Sequence, residues 1–411
     1  MAHTVIARHQ YLDKIEPYLD SPVVKVLTGM RRIGKSTILQ QLRDQLLRQG
    51  VAEGNIILLD LERVEFDHLR DYRALHAEVT QRLAGTTGRR TILLDEIQEV
   101  SEWERAVQSF LAEGLGDIVI TGSNAHMLSS ELATYLTGRY IEIPVFPLSL
   151  PEFSELRAAG APGGDPRRHF ADYVQYGGLP GIHTLPFEPD IVQPFIKSVA
   201  DAIVLHDVVK RNSVRDVALL ERLTHFVLSN TGNVTSAKRI SEYLKSQQLR
   251  VGNETVANYL QYLCDARMLY KVKRYDIQGK RHLEYLDKYY PGDTGLLFAH
   301  FGTRPQSIAG ALETVVFLEL CRRGYAVTVG ALTGREIDFV AERRDERLYL
   351  QVAASVAEPA TREREFGNLH ALPDNYPKMV LSLDELAGGS ERGVRWMRIP
   401  DWLVGDDAGR A

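Results

Sequence analysis

The sequence predicts an α/β protein built on a parallel sheet, with helical and further α/β segments behind it, and three observations predict it. From about residue 20 to 145, apolar β-branched runs alternate with amphipathic helical stretches, the pattern of strands joined by crossover helices. One run leads into Gly29-Met30-Arg31-Arg32-Ile33-Gly34-Lys35-Ser36, a glycine loop that opens a helix. Another ends in two adjacent carboxylates, Asp95 and Glu96.

The first strand is Val23 to Thr28, rich in β-branched residues. Thr37 to Leu42 follows the loop with helical spacing, Ile38, Leu39 and Leu42 sharing a face. Ile56 to Leu61 is a second strand, Ala74 to Leu83 a helix, and Thr91 to Asp95 a third strand. Trp103 to Leu111 is a helix with Trp103, Val107, Phe110 and Leu111 on one side. Asp117 to Gly122 and Tyr140 to Val145 complete the set of strands.

The loop reads G-x-x-x-x-G-K-S, the pattern of a phosphate-binding loop, and names a nucleoside triphosphate with magnesium as ligand. Gly29 and Gly34 let the backbone curl so that successive N–H groups of Arg31, Arg32 and Ile33 point at one anion. The helix N-terminus adds its positive end. Lys35 can reach the β- and γ-phosphates, the Ser36 hydroxyl can bind Mg²⁺, and Thr37 is a further phosphate donor. Asp95 is the expected second metal group, and Glu96 the general base that polarises the attacking water. Parallel sheets bind ligands at the carboxyl ends of their strands. Ser123 or Asn124, after Thr121-Gly122, is therefore expected to sense the γ-phosphate, although Gly, Ser and Asn also suit a plain turn. Arg139, in Leu136-Thr137-Gly138-Arg139, either reaches a γ-phosphate, in its own subunit or across an interface, or pairs with Glu142 on the surface.

The expected organisation is a nucleotide-binding core over residues 1–145, a helical lid over 146–216, a winged-helix domain over 217–290 and a C-terminal α/β domain over 291–411. Pro144, Pro147 and Pro151 punctuate the exit from the sheet. Residues 158–166 read as an exposed loop, Gly177 to Gly181 as a sharp turn, and Phe195 to Arg211 as a helix. Ala218 to Leu228 and helices capped by Ser236 and Asn253 precede a hairpin, Met268 to Val272 returning as His282 to Leu286 after a turn near Gly279. Between Arg267 and Lys288, seven basic residues face three acidic ones, so the wing can contact DNA phosphates. The third helix offers no outward basic residue, and winged helices also mediate protein contacts.

In the last domain a helix over 311–322 carries Glu313, and strands cover 326–329, 336–340 and 347–352. An acid on one strand and an acid-x-lysine on the next is how metal-dependent nucleases hold Mg²⁺. Asp338 is present, but the next strand reads Gln351-Val352-Ala353, so a catalytically silent domain is expected.

Gly29 to Thr37, Leu94-Asp95-Glu96, Thr121 to Asn124 and Leu136 to Arg139 together resemble the motifs of a family of prokaryotic AAA-type ATPases. That family carries a C-terminal domain of unknown function, similar to restriction-type nuclease folds. Ile337-Asp338-Phe339, Leu350-Gln351-Val352 and Thr361 to Glu365 look like its hallmarks. The resemblance implies ATP binding and hydrolysis and suggests a DNA-related or defence-related role. A slow nucleotide-dependent switch that recruits a protein partner, or an ATP-regulated nuclease, are the alternatives.

Composition bounds the rest. At 411 residues, 44% apolar and 25% charged, the chain is typical of a globular protein of several domains. A net charge of −5 gives no global bias towards nucleic acid, so any basic surface is local. The two cysteines, Cys264 and Cys321, support neither a CxxC metal cluster nor a disulfide framework. No apolar signal core or membrane-length apolar run is visible, so a cytoplasmic protein, as a homo-oligomer or with a partner, is expected.

Overall fold

A computed structural model describes residues 5–123, 135–136, 138–160, 165–249, 251–283, 286–302 and 305–405. The chain divides into two compact units. One is Val5–Val145 with Asp265–Arg267; the other is Phe146–Cys264 with the residues from Met268 onward.

In the first unit β1 (Val24–Thr28), β2 (Ile56–Asp60), β3 (Thr91–Asp95), β4 (Asp117–Gly122) and β5 (Tyr140–Pro144) form one sheet, in the order β2-β3-β4-β1-β5. Every pairing is parallel. β1, β3 and β4 are buried at every residue, which is why they read as continuous apolar runs rather than alternating ones. Lys25, inside β1, is tolerated there because its ammonium meets Asp117 at 2.6 Å. Helices Lys35–Arg48, Tyr72–Leu83 and Trp103–Ala112 form the crossovers. Asp71 caps the second by accepting from the Arg73 and Ala74 N–H groups, so it starts two residues before the expected Ala74. Leu75, Val79, Trp103, Val107 and Phe110 pack with Ile92 and Leu94 into the core of this unit. The strand order inserts β4 between the strand that feeds the glycine loop and the strand that carries the acids. The carboxyl end of β4 therefore lies between the two.

The second unit begins with helices Leu150–Gly160, Pro166–Tyr176 and Pro189–Ala202, the last continuing as a wider π-type turn over Ile203–Lys210. The loop expected over 158–166 is thus mostly helical at its ends, and residues 161–164 lie outside the described residues. Helices Val217–Ser229, Ala237–Ser246 and Asn253–Asp265 follow, capped where expected by Ser236.

The hairpin expected after them is divided. β6 (Leu269–Val272) pairs antiparallel with β9 (Lys288–Pro291), whereas β7 (Arg274–Asp276) and β8 (Arg281–His282) form their own short hairpin. β7 then joins β10 (Ala326–Leu332) in an eight-stranded sheet. The cause is Ile277, which follows β7: it is buried against Ile337 and Val340, and its N–H donates to the Ala331 carbonyl. The sheet continues through β11 (Arg335–Arg343), β12 (Glu346–Val352), β13 (Lys378–Ser382), β14 (Ser390–Glu391) and β15 (Val394–Arg398), in the order β14-β15-β13-β12-β11-β10-β7-β8. Helix Pro305–Arg322 precedes β10, and helix Pro359–His370 crosses from β12 to the parallel β13. Cys264 and Cys321 are not disulfide-bonded. Among the described residues no helix is long and apolar enough to cross a membrane.

Candidate nucleotide-binding site

The glycine loop leaves β1 at Thr28, whose carbonyl accepts from the Val145 N–H at 2.7 Å. A side chain at Gly29 would place its Cβ 2.4 Å from the Val145 carbonyl oxygen and 2.5 Å from Ile33 Cδ1, so only glycine fits. Arg32 and Gly34 both take positive φ, 68° and 95°, around the extended turn that leads into helix Lys35–Arg48. A run of this kind turns successive N–H groups towards one concavity. Ile33 is fully buried and anchors the loop from below, leaving its backbone for a ligand. Its carbonyl accepts from the buried Arg8 guanidinium at 3.1 Å. Arg31 Nη1 donates to Glu62 at 2.6 Å, while Arg32 and Ser36 are exposed and Thr37 is half-buried.

Lys35 folds back over the loop. Its ammonium donates to the carbonyls of Gly29 and Met30 at 3.1 and 3.2 Å and lies 3.6 Å from Glu96 Oε1. The acids stand opposite. Asp95 ends β3, accepts from the Thr121 hydroxyl at 2.5 Å and is hydrogen-bonded by Ser36. Burial pushes its carboxyl above the usual range, against the pull of these two hydroxyls. Glu96, at φ 50°, donates its N–H to Thr121 Oγ1 at 2.9 Å. Burial also works against its charge, but Lys35, Gln98 and Arg31 outweigh that and hold the Glu96 carboxyl below its ordinary value. The site therefore offers a charged base and, beside Ser36, a carboxyl oriented by hydroxyl donors. Such a pair suits a hard cation that takes its remaining ligands from phosphate and water.

The structure brings Lys35, Ser36, Asp95 and Glu96 together, as the loop and strand motifs predict. Ser123 is buried just past β4, and Asn124 lies outside the described residues. Arg139 is placed elsewhere. It is exposed, its carbonyl accepts from the Val24 N–H at 3.0 Å, and Tyr140 pairs with Val24 at the amino end of β1. The loop follows the other end of that strand, about 13 Å away at the rise of a parallel strand. The expectation that Arg139 serves the loop of its own subunit is not what this register produces.

Three neighbours escaped sequence reasoning. Thr121 was visible as the residue before Gly122, but only the insertion of β4 makes its hydroxyl a bridge between Asp95 and Glu96. Arg8 and Gln98 carry no motif signal, and each acts through a backbone fold that sequence does not show.

In the second unit another acid cluster surrounds Asp338. Lys288, from β9, is buried, and its ammonium lies 2.8 Å from Glu336, 3.4 Å from Glu313 and 3.6 Å from Asp338. Counting Lys288 with a basic surface wing was therefore wrong: three carboxylates hold it inside. Lys271 pairs with Asp287 at 2.9 Å and Arg267 with Glu142 at 3.0 Å, so the wing's excess charge is partly neutralised locally. Gln351 Oε1 accepts from the Asp338 N–H at 2.7 Å, and its Nε2 donates to Glu365 at 2.6 Å. Asp338 Oδ2 accepts from the Val352 N–H at 2.9 Å. Burial, with Glu313 adding to it, pushes the Asp338 carboxyl upward.

Comparison with known proteins places the chain. An uncharacterised protein of Haemophilus influenzae is 36% identical over 404 residues, covering 98% of this chain and 100% of that one. The chain belongs to the family of that protein. Within the family's shared length, residues 21–154 match the AAA domain and residues 167–307 match a domain of unknown function. An uncharacterised protein of Methanocaldococcus jannaschii is also similar, 27% identical over 83% of this chain and 77% of that protein. A solved Walker-type ATPase of Pyrococcus abyssi is similar at 13% identity and a TM-score of 0.48, covering 72% of this chain and 96% of that one.

Proposed function

We propose that the protein binds ATP with Mg²⁺ at the Gly29–Thr37 loop and hydrolyses it. The observation that carries this reading is the convergence of Lys35, Ser36, Asp95 and Glu96 at the carboxyl ends of β1 and β3. The N–H groups of Arg31, Arg32 and Ile33 would cradle the phosphates, with Thr37 as an added donor. Ser36 and Asp95 would hold Mg²⁺, which supplies charge neutralisation on the β- and γ-phosphates. Lys35 would leave the Gly29 and Met30 carbonyls for the phosphate oxygens. Glu96, kept ionised by its neighbours, would take a proton from the attacking water. Asn124 is the candidate sensor of the γ-phosphate. Arg139, at the amino end of the sheet, would act on a neighbouring subunit of a homo-oligomer.

Residues 1–145 would form the AAA-type core, 146–216 a lid, 217–290 a winged helix and 291–411 a nuclease-like domain that is catalytically silent. The silence rests on Gln351 and Ala353, and on Lys288 filling the acid cluster where a metal would compete. A cleft of about 770 Å³ beside helices Ala237–Ser246 and Asn253–Asp265 is lined by Lys238, Arg239 and Lys271, but also by Glu242 and Asp287, which pair with the two lysines, so Arg239 supplies its cationic excess for a DNA partner. The deciding measurement is steady-state ATP hydrolysis with and without duplex DNA, against a Lys35→Ala control. Lys35-dependent turnover supports the enzyme, and stimulation by DNA supports the winged helix as its reader. Turnover indifferent to DNA and slower than nucleotide exchange would favour a switch that recruits a protein.

A further inference from the structure

The turn after Glu96 sets a second polar side chain against the acid. Glu96 takes φ 50° and starts a 3₁₀ turn over Ile97–Glu99, pinned by the buried side chains of Ile97 and Val100. The turn brings Gln98 back onto its neighbour, and Gln98 Nε2 donates to Glu96 Oε2. The other amide orientation would set oxygen against oxygen, so the carboxylate fixes which way the amide faces. Gln98 Oε1, on the same planar amide, is buried and has no hydrogen-bond partner among the described residues. Buried carbonyl acceptors without a partner are rare and point to a missing donor. Glu96 Oε1 meanwhile faces Lys35.

We propose that Gln98 is a further catalytic residue, whose Oε1 accepts one hydrogen of the attacking water while its Nε2 holds Glu96 to accept the other. A water held by two acceptors keeps a lone pair free for attack. The water oxygen bonds to the γ-phosphorus and the bond from that phosphorus to the β,γ-bridging oxygen breaks. ADP leaves, and Glu96 takes the proton that the water loses. This assignment rests on the hydrolytic reading of the same site.

The test compares full-length wild type with Gln98→Met, which keeps the volume and loses both amide functions, and Gln98→Asn, which keeps the amide on a shorter stem. ATP affinity and KM stay near the wild-type values in both. The kcat of Gln98→Met falls about 100-fold, the scale of a misplaced reacting group, and that of Gln98→Asn falls less. Trapping of ADP with aluminium fluoride, which mimics the in-line transition state, is lost in Gln98→Met while plain ADP binding is kept. A merely structural role would weaken both nucleotide complexes together. Wild-type kcat and wild-type trapping in Gln98→Met would overturn the assignment. If Gln98→Met binds no ATP, equal kcat in Gln98→Asn and wild type overturns it instead. A wild type that binds ATP through Lys35 but never hydrolyses it would instead sink the hydrolytic reading, and Gln98 with it.

Discussion

The Lys35 ammonium and the Glu96 carboxylate lie 3.6 Å apart, each also held by a second group, the Gly29 and Met30 carbonyls for the lysine and Gln98 for the acid. The cation and the base thus satisfy one another across the loop. A phosphate arriving at Lys35 would compete for the lysine and leave Glu96 free to act on water.

Lys35→Ala is therefore expected to remove ATP affinity, because the loop loses the ammonium that folds back over it beside Glu96. Glu96→Gln is expected to bind ATP normally and to hydrolyse it about 10²- to 10⁴-fold more slowly, the range for a lost general base. Equilibrium binding of a fluorescent ATP analogue and single-turnover hydrolysis check the pair. Normal turnover in Glu96→Gln would show that another group is the base.

Thr121→Val keeps the shape of a fully buried side chain and removes a hydroxyl that donates to Asp95 and accepts from the Glu96 N–H. The orphaned N–H should cost about 1–3 kcal/mol of stability. The concentration of Mg²⁺ needed for half-maximal turnover should rise, because Asp95 loses a donor that orients it. Denaturant unfolding and a Mg²⁺ titration read the two effects separately, and no change in either would remove Thr121 from the site.

Lys288→Met should destabilise the second unit by about 3–5 kcal/mol, since it strands Glu313, Glu336 and Asp338 without their common cation. Adding Asp338→Asn to Lys288→Met should recover part of the loss by removing one of the stranded charges. Thermal unfolding of the single and double variants tests this. Additive losses would mean that the cluster is not coupled through Lys288.

Asp293 gives the second unit a pH dependence. Its carboxylate accepts from the Gly178 and Gly295 N–H groups, yet burial pushes it from 3.8 up to about 6. The folded state then holds this proton more tightly than the unfolded chain. The resulting stability is complete below about pH 4 and is lost as pH rises through about 6. Relative to Asp293→Asn, wild type should lose about 2 kcal/mol between pH 4 and 7. Urea unfolding at the two pH values measures it, and a pH-independent difference between the proteins would refute the buried titration.

The sequence by itself determined the parts of this protein that depend on local order. The loop from Gly29 to Ser36 is legible because a phosphate cradle needs its glycines, lysine and hydroxyl at fixed spacing along one stretch of chain. Asp95 and Glu96 are legible because a buried parallel strand is a continuous apolar run, and two acids at its end stand out. The crossover helices follow from their periodicity, although the Asp71 cap, which the periodicity does not show, starts the second two residues before Ala74.

Only the tertiary structure decided what depends on strand order and on burial. The insertion of β4 made Thr121 a bridge, because parallel neighbours are chosen by packing of whole strands and not by adjacency in sequence. The register of β5 on β1 put Arg139 at the amino end of the sheet, away from the loop that follows Thr28. Ile277 drew its hairpin into the C-terminal sheet because burial beside Ile337 and Val340 removes its apolar surface from water. Lys288, one cation among seven between Arg267 and Lys288, became an interior ion because β9 sets it between three carboxylates, and no pattern of neighbours along the chain encodes that.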